Sequence, residues 1–189
     1  MLRAEYIDKD QVVNILVSSF DDNKSVNYIV KQDNRRVRRI RSLMEYSFDI
    51  CYLFGDIFLT DDKKGCALIL IPEKKKTTFK TILLDANLAI MCMGLSNLKK
   101  AIKSEASIKS IYPDGLIYYL WFIGVDPKAQ NNGIGSNLVE HVINEGLSMK
   151  RTLCLETSTM NNIPWYTKHG LSIYKELDFS HWLYCMNTE

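Results

Sequence analysis

The stretch QNNGIGS, Gln130 to Ser136, sets two glycines, three side-chain amides and a hydroxyl directly behind the run LIYYLWFIGVDPKA. The amphipathic segment SNLVEHVINEGL follows at once. A strand end, a polar glycine loop and a helix start in this order can hold an anion. A helix beginning near Gly135 or Ser136 leaves its first N–H groups unpaired and aimed at the loop. The aligned peptide dipoles add a partial positive charge at the same place. Gly133 and Gly135 let the backbone approach a ligand with no Cβ in the way. Gln130, Asn131 and Asn132 offer neutral donors, Ser136 a hydroxyl, and a diphosphate suits such a cradle. A plain turn is the other reading. Two nucleotide motifs are excluded: Leu138 stands where a dinucleotide fingerprint needs its third glycine, and no Gly-Lys-Ser/Thr makes a P-loop.

The elements that must position this loop are legible around it. LRAEYI (Leu2 to Ile7) reads as a strand, and Asp8 with Gln11 three residues on resembles a capping box for a helix carrying Val12, Val13, Leu16, Val17 and Phe20. A second helix is expected from about Asn34 to Ser47, with an apolar stripe of Val37, Ile40, Leu43 and Met44. CYLFGDIFLT and GCALILIP, either side of Asp61-Asp62-Lys63-Lys64-Gly65, read as a β-hairpin. Residues 73–115 read as a helical insertion. Thr77 or Thr78 caps a helix to Met93, Gly94 stops it, and Ser96 caps another with Leu98, Ala101, Ile102 and Ala106 on one face. LIYYLWFIGV is nearly all apolar and so central in its sheet. Leu138, Val139, Val142, Ile143 and Leu147 make one stripe of the helix behind the glycine loop. RTLCLETS is a strand, NIPWYTKHG a short helix, and LSIYKELDF with HWLYCMN a closing hairpin. The order predicts an α/β chain: a mixed sheet with helices on both faces, one domain over residues 1–189.

Composition narrows the function classes. A net charge of +2 does not argue for a nucleic-acid partner. The arginines of Lys31 to Arg41 and the eight lysines of residues 73–110 read as solvated helix faces. Five widely spaced cysteines (Cys51, Cys66, Cys92, Cys154, Cys185) with no C-x-x-C pair suit reduced thiols in a cytoplasmic protein. No signal-peptide core opens the chain, and TILLDANLAIMCMGL is too short and too interrupted to span a bilayer, so no membrane partner is expected. His141, His169 and His181 have no metal-ligand neighbours in sequence, and no metal is expected.

V-x-P-x-x-Q-x-x-G-I-G-S after an apolar strand resembles motif A of the GNAT superfamily of acyl-CoA-dependent N-acetyltransferases, with Gln130, Gly133 and Gly135 on its three fixed places. NNIPWYTKHGL resembles a second family block, Asn-x-x-x-Tyr-x-x-x-Gly, through Asn162, Tyr166 and Gly170, with Leu171 in place of the usual aromatic. The resemblance extends in element order over almost the whole chain. Asn131 stands where many members have Gly, and Asn tolerates a left-handed backbone. Asn132 stands where many have Arg or Lys, which gives up a charge-assisted bond and implies weaker or more salt-tolerant cofactor binding.

The resemblance implies acetyl-CoA as co-substrate. It implies a strand ending at Val125 that splays from RTLCLETS to admit the pantetheine arm, with backbone groups of Ile123, Gly124 and Val125 bonding it. The loop Gln130 to Ser136, Ile134 included, would hold the diphosphate, and Asn162 would orient the arm. Tyr166 would be the general acid that protonates the leaving thiolate, its alternative being a packing tyrosine beside Trp165. No carboxylate lies on the strand LIYYLWFIGV. Glu156 is the nearest acidic candidate for the base; a plain hydrogen-bonding carboxylate, or a water chain through Tyr118 or Tyr119, stays open beside it. The insertion is similar to that of antibiotic acetyltransferases such as the puromycin type, which implies a small-molecule amine acceptor and an acceptor-site cover. A homodimer interface through the helix Thr81 to Leu95 is the alternative for that segment. A non-catalytic acyl-CoA sensor, a protein or peptide amine as acceptor, and a nucleic-acid binder remain as rivals, the last ranked lowest.

Overall fold

A computed structural model describes residues 1–188, apart from the side chains of Leu95 and Ser96. Seven strands form one mixed sheet in the order β1-β2-β3-β4-β5-β7-β6. They are β1 (Leu2–Arg3), β2 (Gly55–Leu59), β3 (Gly65–Leu70), β4 (Ile117–Val125), β5 (Thr152–Thr157), β6 (Leu171–Asp178) and β7 (Trp182–Thr188). Helices α1 (Lys9–Ser19), α2 (Lys24–Ile29) and α3 (Arg36–Phe54) cover one face, with α4 (Phe79–Leu88) and α5 (Gly94–Lys109) beyond them. Helices α6 (Ile134–Ser148) and α7 (Ile163–Lys168) cover the other. The mixed sheet between two helical layers agrees with the order read from the sequence.

Several local expectations change. The first strand pairs only at Leu2 and Arg3, against Leu59 and Phe58. Asp8 does not cap α1: its carboxylate accepts from the Glu5 N–H at 3.1 Å, and Gln11 donates to the Lys63 carbonyl at 2.8 Å. Helix α2 is an addition to the elements expected, although its cap is of an ordinary kind: Asn23 accepts from the Val26 N–H at 3.0 Å. Helix α3 runs to Phe54 and takes up CYLF, a strand by the sequence reading, because Ser47, Phe48, Ile50 and Cys51 continue the buried stripe of Ile40, Leu43 and Met44. Its arginines are not merely solvated: Arg36 pairs with Asp21 and Arg39 with Asp33, each at 2.7 Å.

Thr78 caps α4, its hydroxyl accepting from the Thr81 N–H at 3.2 Å. A π-helical turn over Ala89–Met93 and Gly94, at φ 66°, join α4 to α5. Helix α5 therefore starts before Ser96, whose expected capping side chain lies outside the described residues. The insertion is welded to the core: Leu88, Cys92 and Met93 are buried in the cluster built on α1 and α3. Tyr46 of α3 adds a 2.6 Å bond to Asp85 of α4. In α6 it is Gly146 that is buried, whereas Leu147 is exposed.

Two irregularities in the sheet shape the site. A bulge in β4 opposite Leu68 and Ile69 leaves Trp121 unpaired, so Trp121 and Phe122 both lie on the α1–α3 face. Beside it, β4 and β5 pair in parallel only at Ile117, Tyr118 and Tyr119. From Cys154 to Thr157, β5 pairs with β7 on its other side. The two central strands thus part company beyond Tyr119.

Candidate active site

Two adjacent cavities lie at the gap between β4 and β5. One, of about 480 Å³, is walled by the end of β4, the glycine loop, the start of α6 and α7, with Ser19, Phe20 and Asn23 opposite. Every residue proposed from sequence to hold the cofactor lines it except Asn132. The other, of about 280 Å³, lies on the α1–α3 face under α2 and α5. Phe20, Asn23, Ile123, Asn162 and Tyr166 border both.

The glycine loop has the backbone that an anion cradle needs. Asn131 and Gly133 adopt left-handed conformations, φ 64° and 77°, and nothing lies within 4 Å of where a Gly133 Cβ would stand. The N–H groups of Ile134, Gly135 and Ser136 find no partner among the described residues. The first amide to be satisfied is Asn137, which donates to the Gly133 carbonyl at 3.0 Å. Two of the three side-chain amides are engaged within the loop instead of being left free for a ligand. Asn132 donates to the carbonyls of Ala129 and Gln130 (3.2 and 3.3 Å), and Gln130 to that of Val125 (3.3 Å). They brace the loop and leave the backbone N–H groups of Ile134, Gly135 and Ser136 as free donors for an anion. Ser136 accepts from the Trp165 indole at 3.2 Å and lies 3.3 Å from His169 Nε2, which ties α6 to α7. A diphosphate fits this cradle on its geometry.

On β4, the Val125 carbonyl is already taken by the Ser19 hydroxyl at 2.9 Å. Gly124 is small because α1 crosses it: a Cβ there would come within 3.1 Å of Leu16 and Ser19. Ser19, Phe20 and Asn23 escape the sequence reading, since about a hundred residues separate them from the strand they face and no spacing links them.

Tyr166 is buried in α7, its ring 4.7 Å from that of Trp165. Burial holds its hydroxyl pKa well above the usual phenol range, so the proton stays on oxygen. Glu156 sits on the wall of the smaller cavity, one carboxylate oxygen accepting from the Tyr119 hydroxyl at 2.6 Å. The other oxygen, Oε1, is sealed from solvent and without a protein partner, as is Ser158 Oγ just past the end of β5. Burial pushes the Glu156 carboxyl up to about 7, against a smaller lowering by the Tyr119 bond. A carboxylate that exchanges its proton near neutrality can act as a base. Tyr118 takes no part here: it faces α6 and donates to Asp56 at 2.9 Å.

The histidines have structural partners. His141 packs edge-on against Phe58 (ring centroids 4.6 Å apart), and His181 lies 3.1 Å from the Ser25 hydroxyl. Among the described residues, no three His, Cys, Asp or Glu side chains gather to hold a metal, and no helix is long and apolar enough to cross a membrane.

The parted β4–β5 pair thus has a backbone anion cradle at one end and two buried ionisable groups, Glu156 and Tyr166, at the other. Residues 99–171, which carry nearly all of it, match the model of the Acetyltransferase (GNAT) family. Over these residues the chain is similar to the GNAT acetyltransferases, a family of acyltransferases that use acetyl-CoA as co-substrate. Solved structures share the fold at low identity. A histone acetyltransferase HPA2 and related acetyltransferase from Corynebacterium glutamicum is 16% identical, with 99% of this chain and 93% of that one covered and a TM-score of 0.71. Arylalkylamine N-acetyltransferase 2 from Aedes aegypti is 14% identical over 99% and 96%, TM-score 0.67. The ribosomal-protein-S18-alanine N-acetyltransferase from Escherichia coli is 16% identical over 99% and 90%, TM-score 0.54.

Proposed function

We propose that this chain moves an acetyl group from acetyl-CoA to the primary amine of a small molecule, with Glu156 as general base and Tyr166 as general acid. The observation that carries this reading is that Asn162 and Tyr166 line both cavities, with Glu156 on the wall of the smaller one.

An alkylammonium with a pKa of about 10.4 arrives charged and must lose a proton before it can attack. Glu156 takes that proton on Oε1, while Tyr119 holds Oε2 and fixes the carboxylate. The amine nitrogen then forms a bond to the thioester carbonyl carbon. As the C–S bond breaks, its electron pair leaves on sulfur, the new amide sheds its surplus proton to solvent, and Tyr166 protonates the thiolate. The chain's own work is to seat the diphosphate on the N–H groups of Ile134, Gly135 and Ser136 and to lead the arm past Asn162. Residues 73–115 supply one wall of the acceptor cavity through α5. Residues 1–189 act as one domain in this reading, since the site draws on α1 as well as on α6 and α7.

The test has two parts. Acetyl-CoA at a hundredfold excess over Kd should stabilise the fold by about 2.7 kcal/mol, a rise of roughly 5–11 °C in Tm for a domain of this size, while NAD and ATP do nothing. Tyr166→Phe should cut kcat by about 10²-fold with that rise intact. Unchanged turnover in the variant removes Tyr166 from the mechanism; no rise with millimolar acetyl-CoA removes the cradle.

A further inference from the structure

The walls of the smaller cavity say which amines fit, if it receives the acceptor as the proposed function requires. Aromatic side chains dominate its inner surface: Phe20, Tyr46, Tyr112, Tyr119, Trp121 and Phe122. They are packed edge to face and tilted, with centroids 5.1 Å apart for Phe20 and Phe122, 6.1 Å for Tyr46 and Trp121, and 5.8 Å for Tyr112 and Tyr119. The β4 bulge is what turns Trp121 toward this face beside Phe122.

Charge in the lining is sparse and mostly spent. Glu105 is bonded to Lys109 at 2.6 Å and lies 3.9 Å from Lys75, so its charge is matched and the trio carries one net positive charge. His181 is engaged with Ser25. Two fully buried side-chain oxygens of the lining have no partner among the described residues, Glu156 Oε1 and Ser158 Oγ, two acceptors two residues apart at the end of β5. A primary ammonium, with three donors and one charge, suits that pair. The inner wall beyond it is largely apolar. A second ammonium on the ligand would be stripped of water there with nothing to pair it, and a carboxylate held beside Glu156 would meet a like charge against an apolar wall.

The cavity is also roofed. The Ser25–His181 bond and the ring of Tyr28, 5.3 Å from that of His181, join α2 to the turn between β6 and β7 across it. At about 280 Å³ it lies at the small end of ligand pockets, which run to roughly 300–1,000 Å³. A peptide chain has no trough to lie in.

We infer that the acceptor is a small monoamine with an aromatic, otherwise uncharged body: the ammonium on Glu156 and Ser158, the ring among Trp121, Phe122 and Tyr112. Polyamines, amino acids and peptide N-termini are excluded by the same walls.

The test is a panel of acceptors with acetyl-CoA, read as CoA release: 2-phenylethylamine, tryptamine, phenylalanine, spermidine and a short peptide with a free N-terminus. The two arylalkylamines should exceed the others in kcat/KM by about 100-fold or more, because rejection of a mismatched charged group in a buried site reaches at least that size. Phenylalanine differs from 2-phenylethylamine only in its carboxylate, so that pair isolates the charge argument. Ala101 lines the cavity on α5 and has no part in the chemistry. Ala101→Leu and Ala101→Trp should raise KM for 2-phenylethylamine about tenfold or more while the Tm rise with acetyl-CoA persists, which also shows that each variant is folded. Spermidine, phenylalanine or the peptide matching the arylalkylamines overturns the inference and leaves the acetyltransferase reading standing. So does an amine KM indifferent to both Ala101 variants. If acetyl-CoA binds but no amine releases CoA, the acetyltransferase reading falls, and this inference with it.

Discussion

Replacing Glu156 by Gln should make the protein more stable and less active at the same time, with both effects governed by one proton. Burial raises this carboxyl from 4.5 to about 7. That difference corresponds to about 3 kcal/mol of penalty on the charged form. Between these two values the native state holds the proton more tightly than the unfolded chain does. Unfolding there releases a proton, so the native state loses stability as pH rises from about 4.5 to 7, and above 7 the whole penalty is present. The glutamine side chain carries no charge at any pH and keeps an oxygen for the Tyr119 hydroxyl. At pH 8 the variant should gain up to about 3 kcal/mol, or roughly 6–12 °C in Tm, whereas near pH 4 the two proteins should melt together. The assays are thermal melts from pH 4 to 9 and acetyl transfer over the same range. In the wild type, kcat/KM should rise through a limb near pH 7 as the carboxylate forms. In the variant the limb should vanish and the rate fall by about 10²–10⁴-fold. Parallel melting curves at every pH would refute the buried-charge reasoning. A surviving limb near 7 in the variant would show that another group is the base.

Three further outcomes rest on the packing. Gly133→Val puts a β-branched residue at φ 77° and should destabilise by about 1–2 kcal/mol or more; denaturant melts check this, and titration should show acetyl-CoA binding weakened in step. Tyr46→Phe removes the 2.6 Å bond that joins α3 to Asp85 of α4, and urea unfolding should register a loss of about 1.5–3 kcal/mol; an unchanged midpoint would mean that this bond does not fasten the insertion. All five thiols are buried, and burial pushes those of Cys92, Cys154 and Cys185 up to about 12, so a thiol reagent at pH 8 should label the native protein only as fast as it unfolds. Rapid labelling of any one of them would contradict its placement.

The insertion needs a gentler probe than deletion. Leu88, Cys92 and Met93 are part of the main core, so removing residues 73–115 would expose that core as well as the acceptor cavity. The Ala101 variants change the cavity wall and leave those core contacts in place.

Much of this protein is written locally. A helix start declares itself by the unpaired amides of its first turn, a left-handed turn by Gly or Asn, and a buried strand by unbroken apolar residues. For that reason QNNGIGS, LIYYLWFIGV and the helix behind them are legible as one unit, and Asn131 does adopt the left-handed backbone that its side chain tolerates. Helix α3 is misread at CYLF because a short apolar run suits a strand and a buried helix equally, and only the face of the sheet it packs on decides. The side-chain amides of Gln130 and Asn132 turn away from a ligand because sequence shows what a group can donate, not which nearby carbonyl will claim it. Glu156 shows the same limit most clearly. Its neighbours in the chain do not say whether it meets water or a protein interior. Its link to Tyr119 spans 37 residues, and the smaller cavity gathers walls from α2, α3, α5, β4, β5 and the last hairpin. Burial, and with it the proton affinity of a carboxylate, depends on everything packed around the group, so that property belongs to the tertiary structure alone.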